Sequence, residues 1–116
     1  MKIKANLKDF KGEKIIELCA GGYEAIIAPF LGSNVLRLYD TVNNIDVLRY
    51  DPDLTIEELK SSSCVYGMPT LYLPNRLDGG VLKTSDATYH LPVNEEDLGN
   101  HLHGFLYNRP YSVVSI

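Results

Sequence analysis

The side chains best suited to chemistry lie in the second half of this 116-residue chain. His101 and His103 are two residues apart, which on a β-strand would place both imidazoles on one face. Such a pair could bind a metal ion, but no third ligand stands at a recognisable spacing, so no metal site is predicted. His90 is expected to be an exposed strand residue.

Asn75 and Arg76 follow Pro74 and precede a glycine pair at 79–80. The arginine guanidinium presents five N–H donors in a rigid fork that suits hydroxyl or carboxylate oxygens. Two interpretations stay open at this point: Arg76 binds a ligand, or it forms a loop salt bridge with Asp78. The glycine pair belongs to no phosphate-binding pattern, so nucleotide binding is not predicted.

The two cysteines and the run of acidic residues at 95–97 are weaker candidates for a functional site. Cys19 and Cys64 form neither a CxxC motif nor a disulfide framework, and we expect reduced thiols in a cytoplasmic protein. The carboxylates at 95–97 (EED) are interpreted as a solvated surface, because charge runs in polar loops usually face water.

Composition is that of an ordinary globular domain. Hydrophobic residues are 45% of the chain and charged residues 22%, which excludes bulk disorder. The net charge of −4 disfavours nucleic acids and anionic membranes as partners, since both need clustered positive charge. No apolar run approaches the roughly 20 residues that span a bilayer, and the N-terminal residues lack the apolar stretch of a signal peptide.

Strand patterns dominate the elements that must position these residues. Two β-rich runs, 14–19 and 23–28, flank a glycine pair and predict a hairpin. Residues 34–40 alternate apolar and polar side chains. Together with 45–50, across an asparagine pair, they predict a second hairpin.

Only one segment predicts a helix. Residues 55–60 predict one or two helical turns, with Asp53 or Thr55 as the N-cap and glutamates near the positive end of the helix dipole. Residues 66–80 are rich in Pro, Gly and Tyr and fit neither the helical nor the strand period. They predict a shaped loop, the kind of segment that often carries a site on a β scaffold.

The last third of the chain predicts more strands. Residues 81–83 and 88–91 predict a third hairpin, and 111–116 (YSVVSI) predict a final strand. No polar closure follows that strand, and an unpaired strand edge seeks a partner. We therefore expect the chain to be the front part of a larger fold, able to self-associate through this strand.

Three segments, taken in order, resemble the aldose 1-epimerase (galactose mutarotase) family. Residues 74–80 (PNRLDGG), 89–94 (YHLPVN) and 100–105 (NHLHGF) resemble its N-R-I-x-x-G, Y-x-L-x-x-N and N-x-L-H-G segments. Each motif alone is weakly specific, but three in this order are strongly specific. The chain departs from the pattern at Leu77, where isoleucine is usual, and at Phe105, where a second glycine often follows.

The resemblance covers essentially the whole chain and implies a mainly β fold, a large galactose mutarotase-like β-sandwich with antiparallel hairpins and one short helix. Residues 1–116 would be the N-terminal part of that single domain. A hexose would lie in an open cleft across one sheet. Arg76 and His103 are implied to be catalytic residues that hydrogen-bond the sugar, and Asn75 a substrate-binding residue in the same wall. No cofactor is implied.

The implied reaction interconverts the α and β anomers of a hexose. One group deprotonates the C1 hydroxyl, another protonates the ring oxygen, and fixed donors such as Arg and His orient the ring. In the family the base is a glutamate and the acid a second histidine. Neither Asp78 nor Glu95 or Glu96 matches that glutamate, so this chain alone is expected to be nearly inactive.

Three alternatives stay open beside this hypothesis. The fold could bind carbohydrate without turnover, since fold alone does not fix function. The protein could act on a hexose 6-phosphate, as some similar chains do. The chain could also be an interaction piece whose last strand pairs with another chain.

Overall fold

Antiparallel β-strands make up most of the regular structure of residues 2–116, the part of the chain that this computed structural model describes. These residues fall into two units. The first comprises the residues up to Thr70 together with Tyr107–Ile116, and the second comprises Leu71–Leu106. The expectation of a mainly β fold with little helix is confirmed.

The first unit contains a five-stranded sheet in which each strand pairs antiparallel with the next in sequence. Its strands are β1 (Lys4–Phe10), β2 (Glu13–Ala20), β3 (Tyr23–Ala28), β4 (Asn34–Asp40) and β5 (Ile45–Asp46). Both predicted N-terminal hairpins are therefore confirmed. The last strand is much shorter than the predicted 45–50, because only Ile45 and Asp46 find register partners on β4.

Sequence reasoning missed β1. Its register with β2 runs from Lys4 opposite Cys19 to Phe10 opposite Glu13, and all its side chains except Phe10 are exposed. The strand lies at the edge of the sheet and has no continuous apolar face, so hydrophobic periodicity carries no signal for it.

The core of the first unit is built around Ala28, Leu31, Leu36 and Leu59. Partly buried side chains from the sheet, the loops and the helix pack against it, namely Phe10, Ile26, Phe30, Leu54, Ile56 and Tyr66. The strand register places Phe10, Ile26 and Ala28 on the same face of the sheet. Burial of apolar area on this face is the main stabilising contribution to the unit.

The opposite face of the sheet is apolar but not buried. Cross-strand pairs there are Leu7 with Ile16, and Leu18 with Ala25. Leu7 is 48% exposed, and the others are only half-buried. We call Leu7, Ile16, Leu18, Ala25 and Ile27 the open apolar face.

The predicted helix is confirmed as α1 (Ile56–Ser61), with Thr55 as its N-cap. A capping box holds its first turn: Glu58 N donates to Thr55 Oγ1 at 3.2 Å, and Thr55 N donates to Glu58 Oε2 at 2.8 Å. These bonds from Thr55 lower the pKa of Glu58. In the described part of the chain, no helix is long and apolar enough to cross a membrane.

The second unit consists of two short strand pairs. Strand β6 (Arg76–Asp78) pairs antiparallel with β9 (Asn100–Leu102), and β7 (Val81–Lys83) pairs antiparallel with β8 (Thr88–His90). The third hairpin is therefore confirmed. The loop predicted over 66–80 also contains β6, which its irregular sequence did not reveal.

The strand predicted over 111–116 is wrong. Tyr111 N donates to Pro29 O at 2.8 Å. The residues that follow are exposed, with Val114 at 96%. A strand needs a hydrogen-bonding neighbour along its length, and no strand within residues 2–116 pairs with this segment. A β-rich composition alone did not make a strand.

Candidate functional site

The site residues predicted from the sequence meet at one end of the β6–β9 pair. Arg76 lies opposite Leu102 in the register. One step further along, His103 N donates to Asn75 O at 3.0 Å. In return, Asn75 N donates to His103 Nδ1 at 3.1 Å. The structure thus brings Asn75, Arg76 and His103 together.

Asn75 and His103 both have a left-handed backbone, with φ of 67° and 64°. Residues other than glycine rarely adopt this conformation, which costs about 1 kcal/mol or more and recurs at functional sites. The two hydrogen bonds between these residues hold both in place. Backbone geometry therefore singles out two of the three residues that the motifs had indicated.

The hydrogen bond from Asn75 fixes the proton of the His103 ring. Because a backbone N–H donates to Nδ1, that nitrogen presents its lone pair, and the neutral ring carries its proton on Nε2. The half-buried ring can therefore donate from Nε2.

Gly104 allows the segment after His103 to pass close to the backbone of residue 72. Its φ is +72°, and a Cβ built on it would lie 1.8 Å from Tyr72 O. Residues 72 and 104 form a parallel β-bridge at this point. Only glycine fits here, which gives a physical reason for the glycine of the L-H-G segment.

Arg76 forms a two-point ion pair with Glu95. Its Nε donates to Oε1 at 2.8 Å and to Oε2 at 3.1 Å, and its Nη2 donates to Oε2 at 2.8 Å. The Arg76 side chain is 50% exposed and that of Glu95 only 16%. The hypothesis of a salt bridge with Asp78 is therefore wrong in its partner. For Glu95, the interpretation of 95–97 as solvated surface is wrong as well.

Glu95 is anchored on both sides. Asn100 Nδ2 donates to Glu95 Oε1 at 3.0 Å. The bonds from Arg76, then that from Asn100, lower the pKa of Glu95. The same ion pair raises the pKa of Arg76. Glu95 thus joins the guanidinium to β9 and stays ionised at neutral pH.

Sequence reasoning did not select Glu95, although it directly follows the asparagine of the Y-x-L-x-x-N segment. That asparagine, Asn94, bonds both backbone groups of Leu102: its Nδ2 donates to Leu102 O at 2.9 Å, and Leu102 N donates to its Oδ1 at 2.6 Å. Asn94 thereby fixes the end of β9 just before His103. The only sequence signal for Glu95 was this adjacency.

The expectation that His101 and His103 share one strand face is wrong, because β9 ends at Leu102 and the backbone of His103 turns left-handed. His101 is 1% exposed, its Nδ1 lies 2.7 Å from Pro92 O, and its ring packs against Phe105 at 5.0 Å between centroids. Because a carbonyl only accepts, Nδ1 of His101 is the donor. Across residues 2–116, no group of three or more His, Cys, Asp or Glu side chains could hold a metal ion.

The remaining candidates are His90 and the two cysteines. His90 is exposed, as predicted. Cys19 is half-buried and Cys64 exposed, and both are free thiols. Burial raises the pKa of the Cys64 thiol, which disfavours the reactive thiolate.

The constellation offers hydrogen-bond donors rather than an acid–base pair. Nη1 of Arg76 makes no bond to Glu95, and Nε2–H of His103 faces away from the Nδ1 contact with Asn75. The carboxylate of Glu95 is already engaged by Arg76 and Asn100. Directed donors of this kind suit neutral oxygen atoms such as sugar hydroxyls.

Comparison with known proteins identifies a matching family and similar solved structures. A family model described as aldose 1-epimerase matches residues 14–116. The structure of a galactose mutarotase-like protein from Clostridium acetobutylicum is similar with a TM-score of 0.86 and 40% identity, over 93% of this chain and 32% of that one. Galactose 1-epimerase from Lactobacillus acidophilus NCFM shares the fold at 17% identity and a TM-score of 0.59, over 88% of this chain and 30% of that one.

This chain therefore spans about a third of the length of the solved proteins that it matches. The strands of this chain have the galactose mutarotase-like fold, which they match over part of the length of the solved proteins. The match to the family model extends over most of the chain and includes all the residues of the β6–β9 site. The chain belongs to the aldose 1-epimerase family.

Proposed function

We propose that this chain supplies part of the sugar site of a protein that interconverts the α and β anomers of a hexose. The observation that carries the proposal is the two-way hydrogen bond between Asn75 and His103, next to Arg76. It holds two left-handed residues and fixes an imidazole N–H donor beside a guanidinium. A site of oriented donors is what a ligand with many hydroxyl groups requires.

In this proposal Arg76 and His103 are catalytic residues that touch the sugar. His103 donates from Nε2 to a sugar oxygen, and Arg76 donates from Nη1. Negative charge develops on oxygen when the C1 hydroxyl loses its proton, and fixed donors stabilise such charge in the transition state. Asn75 is a substrate-binding residue, whose backbone orients His103 and whose side chain lines the same wall.

The acid and the base of the reaction are assigned to parts of the protein other than the β6–β9 site. Nδ1 of His103 is occupied by Asn75 N, and Glu95 is occupied by Arg76 and Asn100. We therefore expect the isolated chain to bind sugar without accelerating anomer exchange. The donor-only character of the site also supports a second candidate function, carbohydrate binding without turnover.

We also propose that residues 1–116 are the N-terminal part of one large β-sandwich domain in a cytoplasmic protein. The open apolar face supports this, because Leu7, Ile16 and Leu18 remain partly exposed in a sheet whose other face carries the core. In a sandwich a second sheet covers such a face. The net charge of −4 supports the expectation of no nucleic-acid or anionic-membrane partner.

Self-association through 111–116 is a further part of the proposal. Val114 is 96% exposed and Ile116 61%, so the segment presents apolar side chains that a partner strand would cover. Light scattering of the chain and of Val114→Lys tests it. We expect the unaltered chain to be larger than a monomer and the variant to be monomeric. Equal masses would contradict the idea.

The sugar site is tested by NMR with galactose and glucose. Exchange between the two anomers is measured with and without the chain, while backbone signals of Asn75 and His103 report binding. We expect shifted protein signals and unchanged exchange rates. Faster exchange would place a working acid–base pair in this chain and contradict our assignment, whereas absence of any shift would remove the sugar site itself.

Variants assign the roles within the complete protein. Arg76→Ala and His103→Ala should each lower the mutarotation rate by about a hundredfold without unfolding the protein. Asn75→Gly keeps the left-handed backbone and both bonds to His103, so any loss it causes measures the Asn75 side chain alone. Unchanged rates in the Arg76 and His103 variants would refute the assignment.

A further inference from the structure

The ion pair between Arg76 and Glu95 has a consequence for the class of ligand. A free arginine offers a full positive charge and two edges that each present two parallel N–H groups, which match a phosphate. Here the Nε–Nη2 edge is taken by both oxygens of Glu95. The carboxylate also cancels most of the local charge.

Glu95 is not easily displaced from this position. Its side chain is 16% exposed, and Asn100 Nδ2 holds Oε1 at 3.0 Å. An incoming phosphate would have to approach a fixed carboxylate of its own sign. Like charges placed close together repel each other, which disfavours the wrong ligand. A neutral hydroxyl meets no such penalty and needs only one N–H, which Nη1 supplies.

We propose that Glu95 is a positioning and specificity-determining residue, which orients Arg76 toward neutral hydroxyls and excludes a phosphate from it. The proposal rests on the sugar site described above and deepens it. The ligand class at Arg76 is thereby an unphosphorylated part of a sugar. A hexose 6-phosphate could bind only with its phosphate away from this arginine.

The test uses the 116-residue chain, NMR titration and two probes: galactose and inorganic phosphate. The Nε–H signal of Arg76 reports contacts at the guanidinium. Glu95→Gln removes the charge and keeps the shape and one acceptor oxygen. Glu96→Gln, a change of the same charge at the neighbouring exposed carboxylate, is the matched control.

We expect Glu95→Gln to bind inorganic phosphate about tenfold more tightly at Arg76 and to bind galactose more weakly. Glu96→Gln should change neither. A role limited to structural support would weaken both ligands together, so the opposite signs identify specificity. The inference is overturned if phosphate binding stays unchanged in Glu95→Gln, or if Glu96→Gln gives the same gain.

The unaltered chain supplies a decision that needs no variant. Millimolar inorganic phosphate should leave the Arg76 Nε–H signal unmoved, and a shift of that signal would overturn the inference even if Glu95→Gln failed to fold. Failure of the proposed function is a different result. In that case galactose shifts no signal in the unaltered chain, while the phosphate arm still decides the role of Glu95.

Discussion

Each of the two units of this chain is stabilised in a different way. In the first, long strands pair in sequence order, and apolar side chains such as Leu31 and Leu36 are almost completely buried. In the second, β6 and β9 have three residues each. Asparagine side chains and close backbone contacts supply the order there, as Asn94 does at Leu102.

This difference makes the second unit suitable for the proposed site. Burial of apolar side chains is non-directional enough to tolerate exchange of similar side chains. A site needs single atoms in fixed places, and directional hydrogen bonds such as that from Asn75 N to His103 Nδ1 provide them. We expect the removal or addition of one atom to destabilise the second unit more than the first.

The largest effect is expected from Gly104→Ala. The added Cβ would meet Tyr72 O at 1.8 Å, and alanine is strained at a φ of +72°. We expect more than about 3 kcal/mol of destabilisation and loss of sugar-induced shifts at His103. Denaturant titration, followed through backbone signals of residues 71–106, measures the change.

Gly99→Ala is the matched control for that prediction. Gly99 has a φ of +68°, but a Cβ added there would meet nothing within 4 Å. The substitution should cost only the left-handed conformation, about 1–2 kcal/mol. Equal costs at the two positions would mean that the approach of residues 72 and 104 is not what requires glycine.

Asn34→Ala should cause the next largest loss of stability. It tests whether the first unit also depends on one polar residue. Asn34 is completely buried; its Nδ2 donates to Ser63 O and Tyr66 O, and its Oδ1 accepts from Met68 N at 3.0 Å. Alanine removes the donor for the Ser63 and Tyr66 carbonyl groups, at a cost of about 2–3 kcal/mol, whereas Met68 N keeps its bond to Val35 O. Thermal unfolding measures the loss.

Asn6→Ala provides the comparison for Asn34. Asn6 is an exposed residue of β1, so its replacement should change stability by less than about 0.5 kcal/mol. If both variants melt alike, the bonds of Asn34 to the loop at 63–68 contribute little, and the first unit depends on its sheet alone.

Much of the first unit could be predicted from the sequence because its signals are local. Alternation over 34–40 and the glycine pair before Tyr23 each specify a structure within a few residues. The strand β1 escaped because an exposed edge strand has no buried face to reveal. The error at 111–116 arose because strand formation depends on a partner, which composition does not encode.

The proximity of the candidate residues was predictable from the sequence, but their contacts were not. The family motifs indicated Asn75, Arg76 and His103, and the structure brings these three together. Arg76 pairs with Glu95 rather than with Asp78. This choice depends on the register of β6 against β9, because Asn100 of β9 holds the Glu95 carboxylate. No spacing rule relates residues so far apart in the chain.

A smaller effect is expected at the capping box of α1. Thr55→Ala removes the acceptor for Glu58 N and should cost about 1 kcal/mol, while Thr55→Ser keeps the hydroxyl and most of that stability. Both are measured by denaturant titration of the first unit. The shifts caused by galactose at His103 should be the same in both variants. A loss of sugar binding in Thr55→Ala would contradict the separation of roles between the two units.

The last prediction is that a change of pH leaves the ion pair between Arg76 and Glu95 intact. The pKa of Glu95 is lowered in the folded protein, so its pairing is complete above the ordinary glutamate value of about 4.3 and is lost only as pH falls through the lower folded value. The Arg76 Nε–H signal should therefore persist unchanged from about pH 7 to about pH 5.

Arg49, whose guanidinium bonds the Tyr66 hydroxyl instead of a carboxylate, is the reference for solvent exchange. Loss of the Arg76 signal above pH 5, at a rate matching Arg49, would show that Glu95 does not hold the guanidinium, and directional bonding would no longer distinguish the second unit from the first.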